Sequence, residues 1–373
     1  MVVEVCLAGV ESAVSAQTGG ATRIELCENL VEGGTTPSQG TIALVREKLS
    51  IPVRFTKESN LMEYRQLGNS DLEVSAFSLG SWLTYEFMEE KESLAVMSRA
   101  IEAGINFLDD ARYNDRTGQA PMKSGYSEVV FGRLLHQGGW QRDKLILANK
   151  LWYEFYPDES PEEEVNGSLE RIQTGYFDLI YCAAPSSAVT AAEMVRQMHD
   201  LIQTGKVRYW GVMNWPVEEI GKAWETAVSE NLTPPCAAQL PYSLLRPDWV
   251  EAPEARDIFS RANIGVVASY SLHGGLLSGK YNRGEGHGRF SEEQLASMQQ
   301  AGLLQKVEGV IQIAEEIGCT PAQLALAYCL YNDQVASLLF GATKVSHIDE
   351  NLQALAILPR LDEAVITNLR RLE

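Results

Sequence analysis

The segment "INFLDDARYND" sets two carboxylates, Asp109 and Asp110, just ahead of a phenol, Tyr113, and "LILANKLW" ends an apolar run on Lys150. A buried lysine–aspartate pair can lower the proton affinity of a nearby tyrosine hydroxyl and let it protonate a carbonyl oxygen. That is the acid half of hydride-transfer chemistry. Each residue also has a plainer reading, since a lone lysine at a strand end is as readily solvated or ion-paired. The chemistry depends on whether the fold carries Asp109, Tyr113 and Lys150 to one place. A third apolar run, "FDLIYCAAPSS", ends at Ala183 and Ala184, side chains with no hydrogen bond to offer.

The elements that must position these residues follow from hydrophobic period. "VSAFSLGSW", "INFLDDA", "LILANKL", "FDLIYCAA", "YWGVMNW", "CAAQLPYS", "IGVVASYS" and "VASLLFGAT" read as strands. Amphipathic helical stretches lie between them, several opening on a Ser or Asp cap and closing on Gly, as in "AIEAG" and "LIQTG". Eight strand–helix units in about 300 residues predict an α/β fold of the (β/α)8 (TIM barrel) type, with chemistry at the C-terminal strand ends. A doubly wound open sheet is the alternative, but no glycine fingerprint follows the first strand. Residues 1–56 form a separate βαβαβ pattern, and 57–61 read as a linker. The barrel region, 62–373, opens with a hairpin that turns at Gly68-Asn69-Ser70.

A formal net charge of −19 argues against nucleic acid or an anionic membrane as the main partner, though a local pocket of amides and cations can still take a phosphate. No apolar run reaches the length of a membrane span, and the start of the chain has no basic n-region, which predicts a cytoplasmic protein. The six Cys are scattered without a C-x-x-C pair and predict reduced, buried thiols. His136, His199, His273, His287 and His347 lack metal-ligand spacing, so no metal site is expected. The acidic run "DESPEEE" reads as a solvated helix start.

"GINFLDDARY", "RDKLILANKLW", "SLERIQTGYFDLIY", "GKVRYWGVMNW", "AAQLPYSLL", "GLLSGKY" and "FGATKVSHIDENL" together resemble the aldo-keto reductase superfamily, in the branch that includes potassium-channel β subunits. The resemblance runs over residues 62–373. It implies a barrel with a short hairpin over its bottom, and NADP(H)-dependent reduction of a small aldehyde or ketone to an alcohol. It also implies catalytic roles for Asp109 and Lys150. The family's tyrosine falls one position later, where Asn114 stands, so Tyr113 is the proton donor expected here. The segment that follows is longer than usual and leaves Tyr126 as a second candidate on a flexible loop. Ala183 stands where the family carries a hydrogen-bonding His or Asn. For the cofactor, the resemblance implies Ser81 and Trp82, then Asn214 and Gln239 on the carboxamide and Tyr270 on the nicotinamide face. Ser271, Leu272, Gly274, Ser278, Lys280 and Arg289 fall around the pyrophosphate. Thr343, Lys344 and His347 fall at the 2′-phosphate, and Glu350 and Asn351 at the adenine.

"VEVCLAGVESAVSAQTGGATRIELCENLVEGGTTPSQG" is similar to the start of the CutC family, linked to copper homeostasis. Cys6 and Cys27 fall in matching strands and suit Cu(I), although cysteine in an apolar strand is usually a small buried hydrophobe. Two further readings therefore stand beside the reductase: a non-catalytic NADP-binding regulatory subunit, and a copper-homeostasis protein. A homo-oligomer is compatible with all three.

Overall fold

The computed structural model describes residues 4–7, 9–20, 23–26, 48, 53–55, 62–285 and 289–372. The chain divides into two compact units, residues 1–61 and 62–373. The linker expected at 57–61, Cys27 and His287 lie outside the described residues.

In the first unit, β1 (Glu4–Leu7), β2 (Arg23–Leu26) and β3 (Val53–Phe55) form a parallel sheet in that order. The helix Val10–Thr18 makes the crossover that parallel pairing of β1 and β2 requires.

The second unit opens with an antiparallel hairpin, β4 (Tyr64–Gln66) and β5 (Glu73–Ser75). Gly68 turns it at φ +55°, and any Cβ there would lie 2.1 Å from the Cys236 carbonyl oxygen. Only glycine satisfies both the left-handed backbone and that approach. Leu67, Leu72 and Val74 of the hairpin pack with Phe107, Ile146, Leu179, Ala237 and Val267, near the starts of barrel strands, so the hairpin seals the bottom.

Eight parallel strands then close into a ring: β6 (Phe77–Gly80), β7 (Phe107–Asp109), β8 (Ile146–Leu151), β9 (Phe177–Cys182), β10 (Val207–Met213), β11 (Ala237–Pro241), β12 (Gly265–Ser269) and β13 (Val335–Gly341). Closure through β13–β6 and β9–β10 excludes the open sheet. Helices cover the outside because their apolar residues share one face. Ala191–Gln203, for example, buries Met194, Val195, Met198 and Leu201. Ser160, Thr190, Ser291 and Thr320 start their helices with capping boxes. Gly104 and Gly205 follow helix ends at φ +95° and +75°.

Among the described residues no helix is long and apolar enough to cross a membrane.

Candidate active site

Sequence-distant side chains converge at the C-terminal ends of neighbouring strands. Asp109 ends β7, Lys150 lies near the end of β8, and the register sets Asp109 level with Ala148 and Lys150 level with Tyr181. Lys150 Nζ forms a buried ion pair with Asp109 Oδ1 and donates to the Asp110 carbonyl at 3.3 Å. The other oxygen of Asp109 accepts from Gln239 Nε2 on β11 at 3.0 Å, so both carboxylate oxygens are held. The ring of Tyr113 lies 5.6 Å from Lys150 Nζ and 6.2 Å, edge-on, from the ring of Trp152. Asp109, Tyr113, Lys150 and Gln239 thus make one cluster.

Two expectations are corrected. The tyrosine hydroxyl is not made more acidic: burial first, then the charges of Asp109 and Asp110, push Tyr113 well above its usual range. Lys150 is matched by Asp109, and the surplus charge near the phenol is negative. Tyr113 therefore stays protonated, as a proton donor must. Tyr126 is not on a loop; it is the first residue of the helix Tyr126–Gly138. The long connection is an ordered hairpin, bridged at Asn114–Ser124, with Gly125 N–H donating to the Tyr113 carbonyl at 2.8 Å.

Asp110 turns away from this pair. It is fully buried, accepts from Ser81 Oγ, and leaves Oδ2 without a partner. Burial first, then the charge of Glu128, raises its carboxyl well above the usual value of about 3.9. Unfolded, Asp110 ionises above pH ~4; folded, it keeps its proton to a higher pH, so its contribution to stability is lost as pH rises between these values. Asp110→Asn is expected to gain stability over the parent progressively as pH rises above ~4, where the unfolded carboxyl ionises and the buried one still holds its proton. Paired thermal melts across that range check it, and a difference that stays constant or narrows refutes it.

The residues expected around a cofactor occupy an arc formed by β12, β13 and β6 and extending to β10 and β11. Asn214, exposed at φ +57°, donates its backbone N–H to the Gln239 carbonyl at 3.0 Å. Tyr270, at φ +58°, packs against His273, ring centroids 5.1 Å apart. Ser271 is buried, Leu272 packs against the core, and Ser278 Oγ donates to the Gly275 carbonyl at 2.7 Å. A Cβ on Gly274 would lie 2.5 Å from Phe290 and 2.9 Å from the Tyr270 hydroxyl, and Gly274 and Gly275 both have positive φ. Lys280 Nζ lies 5.0 Å from the Tyr281 ring centroid, and the Arg289 guanidinium stands over the Trp82 indole at 5.0 Å.

Beyond β13, exposed Thr343 and Lys344 precede the helix Val345–Leu352, which carries His347, Glu350 and Asn351. No side chain caps that helix N-terminus, and Thr343 N–H contacts His347 Nδ1 at 3.4 Å. Burial lowers the His347 imidazole, against Glu350, which raises it, and with a smaller push downward from Lys344. An uncapped N-terminus flanked by a lysine, next to a glycine-lined turn bearing Lys280, fits a phosphorylated dinucleotide.

Position 183 offers backbone only: Ala183 N–H donates to the Leu151 carbonyl at 2.9 Å, and its own carbonyl accepts from Trp215 Nε1 at 2.8 Å.

The strand signals missed several residues. Tyr181 is fully buried beside Lys150, its hydroxyl pushed up by burial and by Asp109. Glu128, also fully buried, accepts from Asn149 Nδ2 at 2.9 Å and Arg171 Nε at 2.5 Å. Glu164, in the acidic run read as solvated, is buried against Arg112 because two backbone amides need an acceptor there. Among the described residues, five of the eight non-glycine residues with positive φ (Leu83, Tyr153, Asn214, Tyr270 and His273) follow barrel strands at this face, as strain at functional sites does. Nothing in residue type announces them except the two asparagine-like or aromatic positions already singled out.

Fold and site together define a (β/α)8-barrel protein with its polar machinery at the C-terminal face. The chain belongs to the aldo/keto reductase family, whose model matches residues 76–373. Residues 1–56 match the CutC family. Among relatives, a probable voltage-gated potassium channel subunit beta of Oryza sativa subsp. japonica is 32% identical over 325 residues, covering 83% of this chain and 95% of that protein. One of the same description from Arabidopsis thaliana is 32% identical over 327 residues, covering 83% and 96%.

Proposed function

We propose that the chain is an NADP(H)-dependent oxidoreductase that reduces a small aldehyde or ketone to an alcohol. The observation that carries the reading is the buried Lys150–Asp109 pair with the Tyr113 ring beside it. NADPH, when bound, supplies the hydride. Tyr113 holds the proton that the carbonyl oxygen takes up, Lys150 offsets the charge left on the phenol, and Asp109 orients Lys150. Gln239, already fixed on Asp109, holds the carboxamide together with Asn214, and Tyr270 covers the nicotinamide face. Ser81 and Trp82 border this pocket. Ser271, Leu272, Gly274, Ser278, Lys280 and Arg289 surround the pyrophosphate. Thr343, Lys344 and His347 take the 2′-phosphate, and Glu350 and Asn351 take the adenine. The test is NADPH fluorescence quenching together with NADPH-dependent turnover of an aldehyde panel; absence of both refutes the proposal.

Ala183 leaves the carbonyl without a side-chain donor at that position, so turnover is slow or restricted to few substrates. Ala183→His is expected to raise kcat/KM for aldehydes roughly tenfold by adding a donor at the developing oxyanion. An unchanged or lower kcat/KM in a folded variant contradicts this account of the deficit.

A second reading is a non-catalytic NADP-binding regulatory subunit, favoured by Ala183 and by the description of the two relatives. Cofactor quenching without turnover, with a co-purifying protein, separates it from the enzyme. We treat residues 1–56 as a CutC-like fragment, 57–61 as linker and 62–373 as the reductase barrel. The copper-handling reading then stands on stoichiometric Cu(I) binding that is lost when Cys6 and Cys27 are replaced. The free thiols of Cys182, Cys236, Cys319 and Cys329 suit a cytoplasmic setting.

A further inference from the structure

We propose that Arg112 and Glu164 form a strut that positions Tyr113 over Lys150, a role that rests on the reductase reading of the site. Tyr113 and Trp152 both lie beyond the ends of their strands, in the connections that follow β7 and β8. Something has to fix those connections for the phenol to stay in register with the ammonium. Glu164 does so from a rigid element, the helix Pro161–Ile172. Its Oε1 accepts from the Trp152 backbone N–H at 2.9 Å and its Oε2 from that of Tyr153 at 3.2 Å. The same carboxylate forms an ion pair with Arg112 Nη2 at 3.0 Å, a contact of charges without hydrogen-bond geometry, where the side chains are 3% and 8% exposed.

Arg112 immediately precedes Tyr113. Its Nη1 reaches both oxygens of Glu159, at 2.9 and 3.1 Å, and its guanidinium lies 5.5 Å from the Phe155 ring centroid. One cation thus grips three points in and beside the connection after Lys150, while one carboxylate fixes the first two amides of that connection. The Tyr113–Trp152 ring contact is the result. The two amide bonds fix the seating of the Glu164 carboxylate, the bonds to Glu159 fix that of the guanidinium, and the buried attraction between the two charges joins them. Neither side chain touches the reacting atoms, and both are positioning residues.

The test compares Arg112→Met, Arg112→Lys and Glu164→Gln with the parent. Misplacement of the proton donor is expected to lower kcat roughly tenfold or more in Arg112→Met and Glu164→Gln. NADPH quenching should titrate as in the parent, and Arg112→Lys should recover most of the loss. The pH profile of kcat should shift with the loss, which general loosening of the fold does not produce. In hydrogen exchange, the Trp152 and Tyr153 amides should be slow in the parent and faster in Glu164→Gln. Folded variants with parental kcat and pH profile overturn the strut, as does unchanged exchange of the two amides. If Arg112→Met does not fold, the volume-conserving Glu164→Gln carries the test. A parent protein that reduces no carbonyl refutes the reductase reading instead, and the exchange experiment still decides whether the two amides are clamped.

Discussion

Lys150→Met is expected to abolish carbonyl reduction, lowering kcat by about 10²- to 10⁴-fold, the range that a positioned acid and its tuning partner contribute. The structure makes this substitution severe in a second way. Asp109 is left with the Gln239 amide as its side-chain partner and no cation beside it. Removing one member of a buried ion pair costs about 3–5 kcal/mol. The kinetic and structural effects separate in the double variant Lys150→Met/Asp109→Asn, which removes the uncompensated charge. Its melting temperature should recover toward that of the parent while turnover stays lost. Parental kcat in a folded Lys150→Met protein would remove the lysine from the mechanism.

Tyr113→Phe is expected to lose activity on a similar scale, about 10²- to 10⁴-fold in kcat, with little change in stability. The phenyl ring keeps the edge-on contact with Trp152 and loses only the hydroxyl. Tyr126→Phe should leave kcat near the parental value, because the phenol ring found beside Lys150 is that of Tyr113. The reverse pattern would reassign the donor. Since burial and the surrounding carboxylates hold the Tyr113 hydroxyl well above its ordinary value of about 10, kcat should show no alkaline loss from Tyr113 through the neutral range. A decline beginning near pH 7 and abolished in Tyr113→Phe would contradict that environment.

The architecture was legible because it is written in short-range pattern. Apolar runs at strand length, capped amphipathic helices and the Gly68 turn each declare themselves within a few residues. The pairing of Lys150 with Asp109 was readable too, because both sit where neighbouring strands end. What escaped depends on contacts between distant residues. Arg112 meets Glu164 across 52 positions and Gln239 meets Asp109 across 130, and neither distance leaves a local mark. Glu164 looked like one more carboxylate in a solvated run until two amides without other acceptors were found above it. The direction of the tyrosine shift failed for a related reason. Its sign depends first on burial and then on Asp109, Asp110, Glu86 and Glu128 around one hydroxyl, and the sequence shows neighbours in order, not in space.

The ring closure of β6–β13 has an evolutionary consequence. Every barrel strand finds both of its strand neighbours within residues 62–372, so the ring closes on itself and leaves no vacant hydrogen-bonding edge among its strands. A ring closed in this way completes its own backbone pairing, so its strands make no demand on the sequence that precedes them. Matches of residues 1–56 and 76–373 to two different families are the kind of mosaic that this self-sufficiency permits.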